Sequence, residues 1–202
     1  LRFAGIEHAA ILASHPQAKI LSRGHATLPN MVESFRAAEP MGWLHLGCHA
    51  VPEPTIDNGA ALLVATSAPN GNRLDALTTY PLNLTPGCRV ILSACATSAA
   101  DRWRGEGTMA LWRAFLVTGA SCVVSTRRDV DDRSVACWMA NFHRLAADGR
   151  PLADALRDTS RGWLDGTGRP TYPRGSGVVD PNHPFLWAAY VCHGNDGGPL
   201  PH

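Results

Sequence analysis

The chain has 202 residues, 18 basic and 17 acidic side chains, a formal net charge of +1 and 45% hydrophobic residues. That length supports one substantial core, so a single domain over residues 1–194 is expected, with a disordered tail at 195–202. Near-balanced charge without a block of one sign disfavours a nucleic-acid partner. The absence of a bilayer-length apolar run or a signal pattern points to a cytoplasmic protein with no membrane partner.

The chain opens on Leu1, which suggests the C-terminal part of a longer protein. Six cysteines, Cys48, Cys88, Cys95, Cys122, Cys137 and Cys192, lack paired short spacings, and four lie inside apolar runs, the usage of a reducing compartment. Lys19 is the only lysine.

Taken in order, Ile6 to Leu12 has the pattern of a short amphipathic helix ended by His15-Pro16, and Ala18 to Leu21 reads as a first strand. Thr27 is placed to cap a helix with Pro29 just inside it and Met31, Val32 and Phe35 on one side. Gly42 to His49 reads as a buried strand finishing in Cys48-His49. Between Val51 and Gly87 the composition turns to Pro, Asn, Asp, Gly and Thr, interrupted by a strand or hairpin arm at Ala60 to Thr66.

The central stretch is Arg89 to Thr97. Val90, Ile91 and Leu92 suit a strand buried on both faces, and Ser-Ala-Cys-Ala-Thr after them suits a tight turn out of it. Ala99 to Gly105 is a polar loop, and Gly107 to Thr118 is a helix with Met109, Leu111, Trp112, Phe115 and Leu116 on its apolar face, stopped by Gly119. Ser121 to Thr126 is another strand. Asp132 is placed to cap a helix carrying Val135, Met139, Phe142 and Leu145, and a further helix spans Leu152 to Leu164. A loop from Gly166 to Asn182 precedes a final strand at Phe185 to Cys192.

Strands alternating with helices predict an α/β fold with a mostly parallel sheet covered on both faces. Dinucleotide, P-loop and G-x-S-x-G signatures are missing from the sequence. Two strand ends remain, Cys48-His49 and Ala94-Cys95. If their strands are parallel neighbours, His49 and Cys95 emerge on one edge of the sheet as a thiol and an imidazole suited to nucleophilic hydrolysis. The bland reading of Cys95 is a packed core cysteine. His45, Cys48 and His49 do not suggest a metal site, because a strand sends successive side chains to opposite faces and no second ligand group completes a tetrahedron. No metal or cofactor is expected. His183 and Trp187 read as structural, and His8, His15, His25, His143, His193 and His202 have no evident partner in the sequence.

Four segments together resemble the CHAT domain family, a caspase-like peptidase group often found beside TPR repeats. They are Leu44-His45-Leu46-Gly47-Cys48-His49, Ile91 to Thr97, Gly105-Glu106-Gly107 through Leu116 to Gly119-Ala120, and His183-Pro184-Phe185-Leu186-Trp187-Ala188-Ala189-Tyr190. Their order and spacing cover the chain from about Ile6 to Gly194. The resemblance implies a three-layer α/β/α caspase-like fold, a catalytic dyad of His49 and Cys95, and an oxyanion site using the backbone N–H groups of Ala50 and Cys95.

The chain departs from that pattern at two places. Alanine at position 50 stands where the family usually has glycine, and Arg127-Arg128 stands where a Leu-Trp pair is common, followed by the acidic residues Asp129, Asp131 and Asp132. Arg127 or Arg128 would pair with an acidic substrate side chain, and Asp129 with a basic one. The alternative is a set of surface groups paired among themselves, with Asp132 as a helix cap.

The function implied is a cysteine endopeptidase acting on a protein or peptide substrate through an acyl-enzyme, under control of an N-terminal TPR or other sensor module. The rivals are a non-catalytic docking or signalling scaffold and a cysteine acyltransferase or amidase. The segments Val51 to Gly87 and Ala99 to Gly105 are expected to line the cleft and reorder on activation.

Overall fold

A computed structural model describes residues 4–37, 42–53, 59–65, 73–95, 107–128, 131–171 and 180–195. Its centre is a six-stranded sheet in the order β3-β2-β1-β4-β5-β6. The strands are β1 Trp43–Glu53, β2 Gly59–Leu63, β3 Arg73–Leu74, β4 Arg89–Cys95, β5 Cys122–Thr126 and β6 Tyr190–Gly194. Pairing is parallel for β1 with β4 and for β4 with β5, and antiparallel for β1 with β2, β2 with β3 and β5 with β6. The sheet thus has a parallel centre and antiparallel flanks.

Alternation along the strands divides the core in two. Val90, Leu92 and Ala94 of β4 and Val123 of β5 belong to one apolar cluster, with Met31, Leu111 and Phe115. Ile91 of β4 and Cys122 and Val124 of β5 belong to the other, with Trp138, Met139, Phe142, Leu152 and Trp163. The helices are α1 Ala4–Ser14, α2 Leu28–Ala37, α3 Ala76–Thr79, α4 Gly107–Val117, α5 Asp132–Ala146 and α6 Leu152–Leu164, of which α2, α4, α5 and α6 supply these cluster residues. Helices α2 and α4 cover one face and α5 and α6 the other, with α1 packed on α5. This is the three-layer α/β/α caspase-like architecture.

Local chemistry sets the element ends. Thr27 Oγ1 accepts the Asn30 N–H at the start of α2. Gly119 stops α4 at φ +117°, where a β-carbon would meet the Leu84 carbonyl oxygen at 2.7 Å. At the start of α5 the capping side chain is Asp131, which accepts the Ser134 N–H at 2.9 Å. Asp132 is the first helical residue instead of the expected cap.

Three strand expectations need correction. Ala18 to Leu21 forms no strand; Lys19 and Ile20 are exposed there, and Lys19 Nζ donates to Ser34 Oγ at 3.0 Å. The closing strand is Tyr190–Gly194, because Pro184–Leu186 winds into a 3-10 turn in which His183 Nδ1 accepts the Phe185 N–H. The strand of His49 does not finish there but runs on to Glu53. The polar loop at 99–105, part of the 166–182 loop and the tail beyond Asn195 lie outside the described residues.

Candidate active site

The parallel ladder between β1 and β4 runs in unbroken register from Trp43 with Arg89 to His49 with Cys95. In-register positions on adjacent parallel strands share a face of the pleated sheet, so these two positions are neighbours on one face at the carboxyl edge. Open α/β sheets offer ligand sites along this edge. Strand β4 ends at Cys95, whereas β1 changes partner between His49 and Ala50, pairing from Ala50 with Leu62 of β2. His49 is exposed at this junction.

Ala50 is buried and extended in the ladder, and among described non-glycine residues only Arg23 and Asn83 have positive φ. An alanine therefore fits this backbone without left-handed strain. The end of β5 is tied to the same edge by Thr126 Oγ1, which donates to the Ala94 carbonyl oxygen at 2.9 Å.

The two arginines after β5 separate. Arg127 is exposed, with its backbone N–H on the Ala189 carbonyl oxygen. Arg128 is half-buried; its Nη2 donates to the Pro184 carbonyl oxygen at 2.6 Å, and its guanidinium lies 5.3 Å from the Phe185 ring centre. These contacts bind Arg128 to the 3-10 turn before β6. Asp129 lies outside the described residues.

Other cysteines are occupied by packing. Burial pushes the Cys88 thiol up to about 11, which deprives it of thiolate character near neutral pH. Burial also raises the Cys137 thiol, with Arg133 opposing and Asp131 adding to the shift. The Cys122 and Cys192 sulfurs touch at 2.7 Å across β5 and β6. Among the described residues, no group of three His, Cys, Asp or Glu side chains is arranged to hold a metal ion.

Sequence reasoning missed two polar clusters. On the face opposite the His49 and Cys95 positions, His193 Nε2 lies 3.2 Å from Ser125 Oγ, and its ring stacks on Trp112 with centroids 4.0 Å apart. Burial, then the charges of Arg127 and Arg113, lower the His193 pKa. On the same face as the dyad positions, Glu7, Ser93, His45, His143 and His15 form a connected chain. Only the spacing of His45 and Ser93 from His49 and Cys95, four and two residues, hinted at the second cluster in the sequence.

This architecture, with paired histidine and cysteine positions at the carboxyl edge of its parallel centre, is that of a caspase-like α/β domain. The sequence matches the CHAT domain family over residues 3–195, and the chain belongs to that family. Comparison with curated proteins finds no match. Among the described residues no helix is long and apolar enough to cross a membrane.

Proposed function

We propose that this CHAT domain is a cysteine endopeptidase with Cys95 as nucleophile and His49 as general acid and base. The observation that carries this reading is the register of His49 with Cys95 at the end of a parallel ladder. The Cys95 thiolate adds to the scissile carbonyl carbon, and its oxygen becomes an oxyanion held by the backbone N–H groups of Ala50 and Cys95. Collapse breaks the C–N bond, and the His49 imidazolium gives its proton to the departing amine. Water then attacks the thioester while His49 takes up its proton, which releases the acid and regenerates the thiolate.

Arg127 is the arginine available to a substrate, since Arg128 is engaged by Pro184 and Phe185. An acidic side chain beside the scissile bond would pair with Arg127, and Asp129 would select a basic one. Cleavage is governed by a sensor module, TPR repeats or another domain, attached or associated.

The test is a peptide-library and proteome cleavage screen with wild type, Cys95→Ala and His49→Ala. The expected result is cleavage by wild type and a loss of about 10³-fold or more in either variant. Cleavage unchanged in both variants would overturn the mechanism. Specific capture of a protein without cleavage would replace it by the scaffold reading.

A further inference from the structure

Beneath the His49 and Cys95 positions lies a chain of polar groups that the dyad chemistry does not use. Ser93 Oγ donates to Glu7 Oε1 at 2.6 Å, and the same oxygen lies 3.0 Å from His45 Nε2 without the alignment of a hydrogen bond. His45 Nδ1 lies 3.0 Å from His143 Nε2, and His143 Nδ1 lies 3.3 Å from His15 Nε2. Glu7 is 3% exposed and His143 1%, whereas His15 is half-buried and rests against the Trp43 ring. The carboxylate sits over Gly47, whose β-carbon position is 3.6 Å from Glu7 Oε2.

Each link between imidazoles needs one donor and one acceptor. With an extra proton on His45, its Nδ1–H donates to His143 Nε2, and His143 Nδ1–H donates to His15 Nε2. With that proton on His15, both links reverse, and His45 keeps only the Nε2–H that faces Glu7. The two states interconvert by moving one proton from His45 Nδ1 to His143 Nε2 and one from His143 Nδ1 to His15 Nε2.

His143 is neutral in both states. Its burial, reinforced by His45 and His15, pushes its pKa down to about 2. Glu7 meets Ser93 from β4 and His45 from β1, and His143 from α5 and His15 after α1 extend the chain from His45. Arg89, 5.4 Å from the Trp43 ring centre, is a fixed cation near the outer end.

We propose that Glu7 is a positioning residue of the candidate site and that His45, His143 and His15 form a proton relay linking its charge balance to solvent. Glu7 joins β1 to β4 through His45 and Ser93, just before the paired positions of His49 and Cys95. A carboxylate balanced by His45 holds both strands; a change in the relay's protonation alters that hold. The consequence for catalysis rests on the peptidase reading, whereas the relay itself does not.

The test compares wild type, Glu7→Gln and the solvent-end variant His15→Gln, which alters no fully buried group. Long-range ¹H–¹⁵N correlation reads the histidine tautomers, backbone amide spectra report on His49 and Cys95, and peptide mapping follows iodoacetamide alkylation of Cys95 from about pH 5 to 8. The expected results are joint movement of the His143 and His45 signals in His15→Gln, and displaced His49 and Cys95 amides in Glu7→Gln. In Glu7→Gln the alkylation rate falls about tenfold or more, with an altered pH profile.

Unmoved His143 and His45 signals in His15→Gln would overturn the relay. Unmoved amides with an unchanged pH profile in Glu7→Gln would overturn the positioning role. Failure of wild type to cleave any substrate counts against the peptidase reading alone, since the tautomer and amide readouts need no turnover.

Discussion

Glu7 of the first helix and Ser93 of the central strand share a 2.6 Å hydrogen bond across 86 positions of sequence. A carboxylate this buried is tolerated only when its oxygens are partnered, so removing one partner costs more than the net worth of the bond. Ser93→Ala is expected to lower unfolding free energy by about 1–3 kcal/mol in urea denaturation. In a double-mutant cycle with Glu7→Gln, a coupling of about 0.5 kcal/mol or more is expected. Strict additivity would mean that the two groups do not act together.

The acid limb of the stability curve follows from His143. An unfolded imidazole takes up a proton near the ordinary value of 6.5, whereas the folded His143 resists until about pH 2. Between those values the unfolded chain binds a proton that the native one refuses, so stability falls as pH drops below about 6.5. The slope approaches about 1.4 kcal/mol per pH unit from this group. The lowered values of His15 and His193 act in the same direction. His143→Phe is expected to flatten the difference in unfolding free energy between about pH 7 and 5; an equally steep fall in the variant would reject this account.

Gly194 adopts φ +91°, and a β-carbon there would overlap the Ser121 carbonyl oxygen, which accepts the Asn195 N–H. Gly194→Ala is therefore expected to cost about 1–3 kcal/mol through backbone strain, before the overlap is counted. Thermal melting of the variant measures this, and an unchanged midpoint would contradict the pairing drawn for β5 and β6.

Arg127 and Arg128 are expected to behave differently on truncation. Arg128→Ala removes the tie to Pro184 and Phe185 and should speed amide exchange at residues 185–187. Arg127→Ala should leave that exchange unchanged while raising KM for substrates with an acidic residue beside the cleavage point. Equal effects of the two variants on both measurements would merge the roles assigned to them.

Elements whose causes are local were legible in the sequence. The helix Leu152–Leu164 and the strand core Val90 to Leu92 follow from apolar spacing, although Ser93 to Cys95, expected as a turn, continue that strand in register with β1, and Gly119 marks a stop that needs positive φ. The cap of α5 was expected at Asp132 and lies one residue earlier, because the adjacent Asp131 is the one that accepts the Ser134 N–H. Ala18 to Leu21 has strand-like composition but no ladder to join, and propensity without a partner does not make a strand. The continuation of β1 beyond His49 depends on β2, a partner that the local pattern does not specify.

The candidate site was legible as far as a family motif reaches. His49 and Cys95 could be paired on paper because each follows an apolar run, and the register agrees with that pairing. The histidine relay could not, because His143 and His15 are 128 positions apart and no short motif joins them. Arg127 and Arg128 could not be told apart in the sequence; the contacts of Arg128 with Pro184 and Phe185, brought beside it by the antiparallel return of β6, distinguish their surroundings.

The relay also orders events during synthesis. A chain made from its N-terminus can form α1 and then pair β1 with β4, yet Glu7, Ser93 and His45 are not joined to His15 until His143 on α5 has emerged. Contacts this distant in sequence close late, after the local helices have formed. A nascent chain therefore carries the histidine and cysteine of the candidate site, with Glu7, His45 and Ser93, before His143 arrives to join them to His15, and the complete chain of groups belongs to the finished fold.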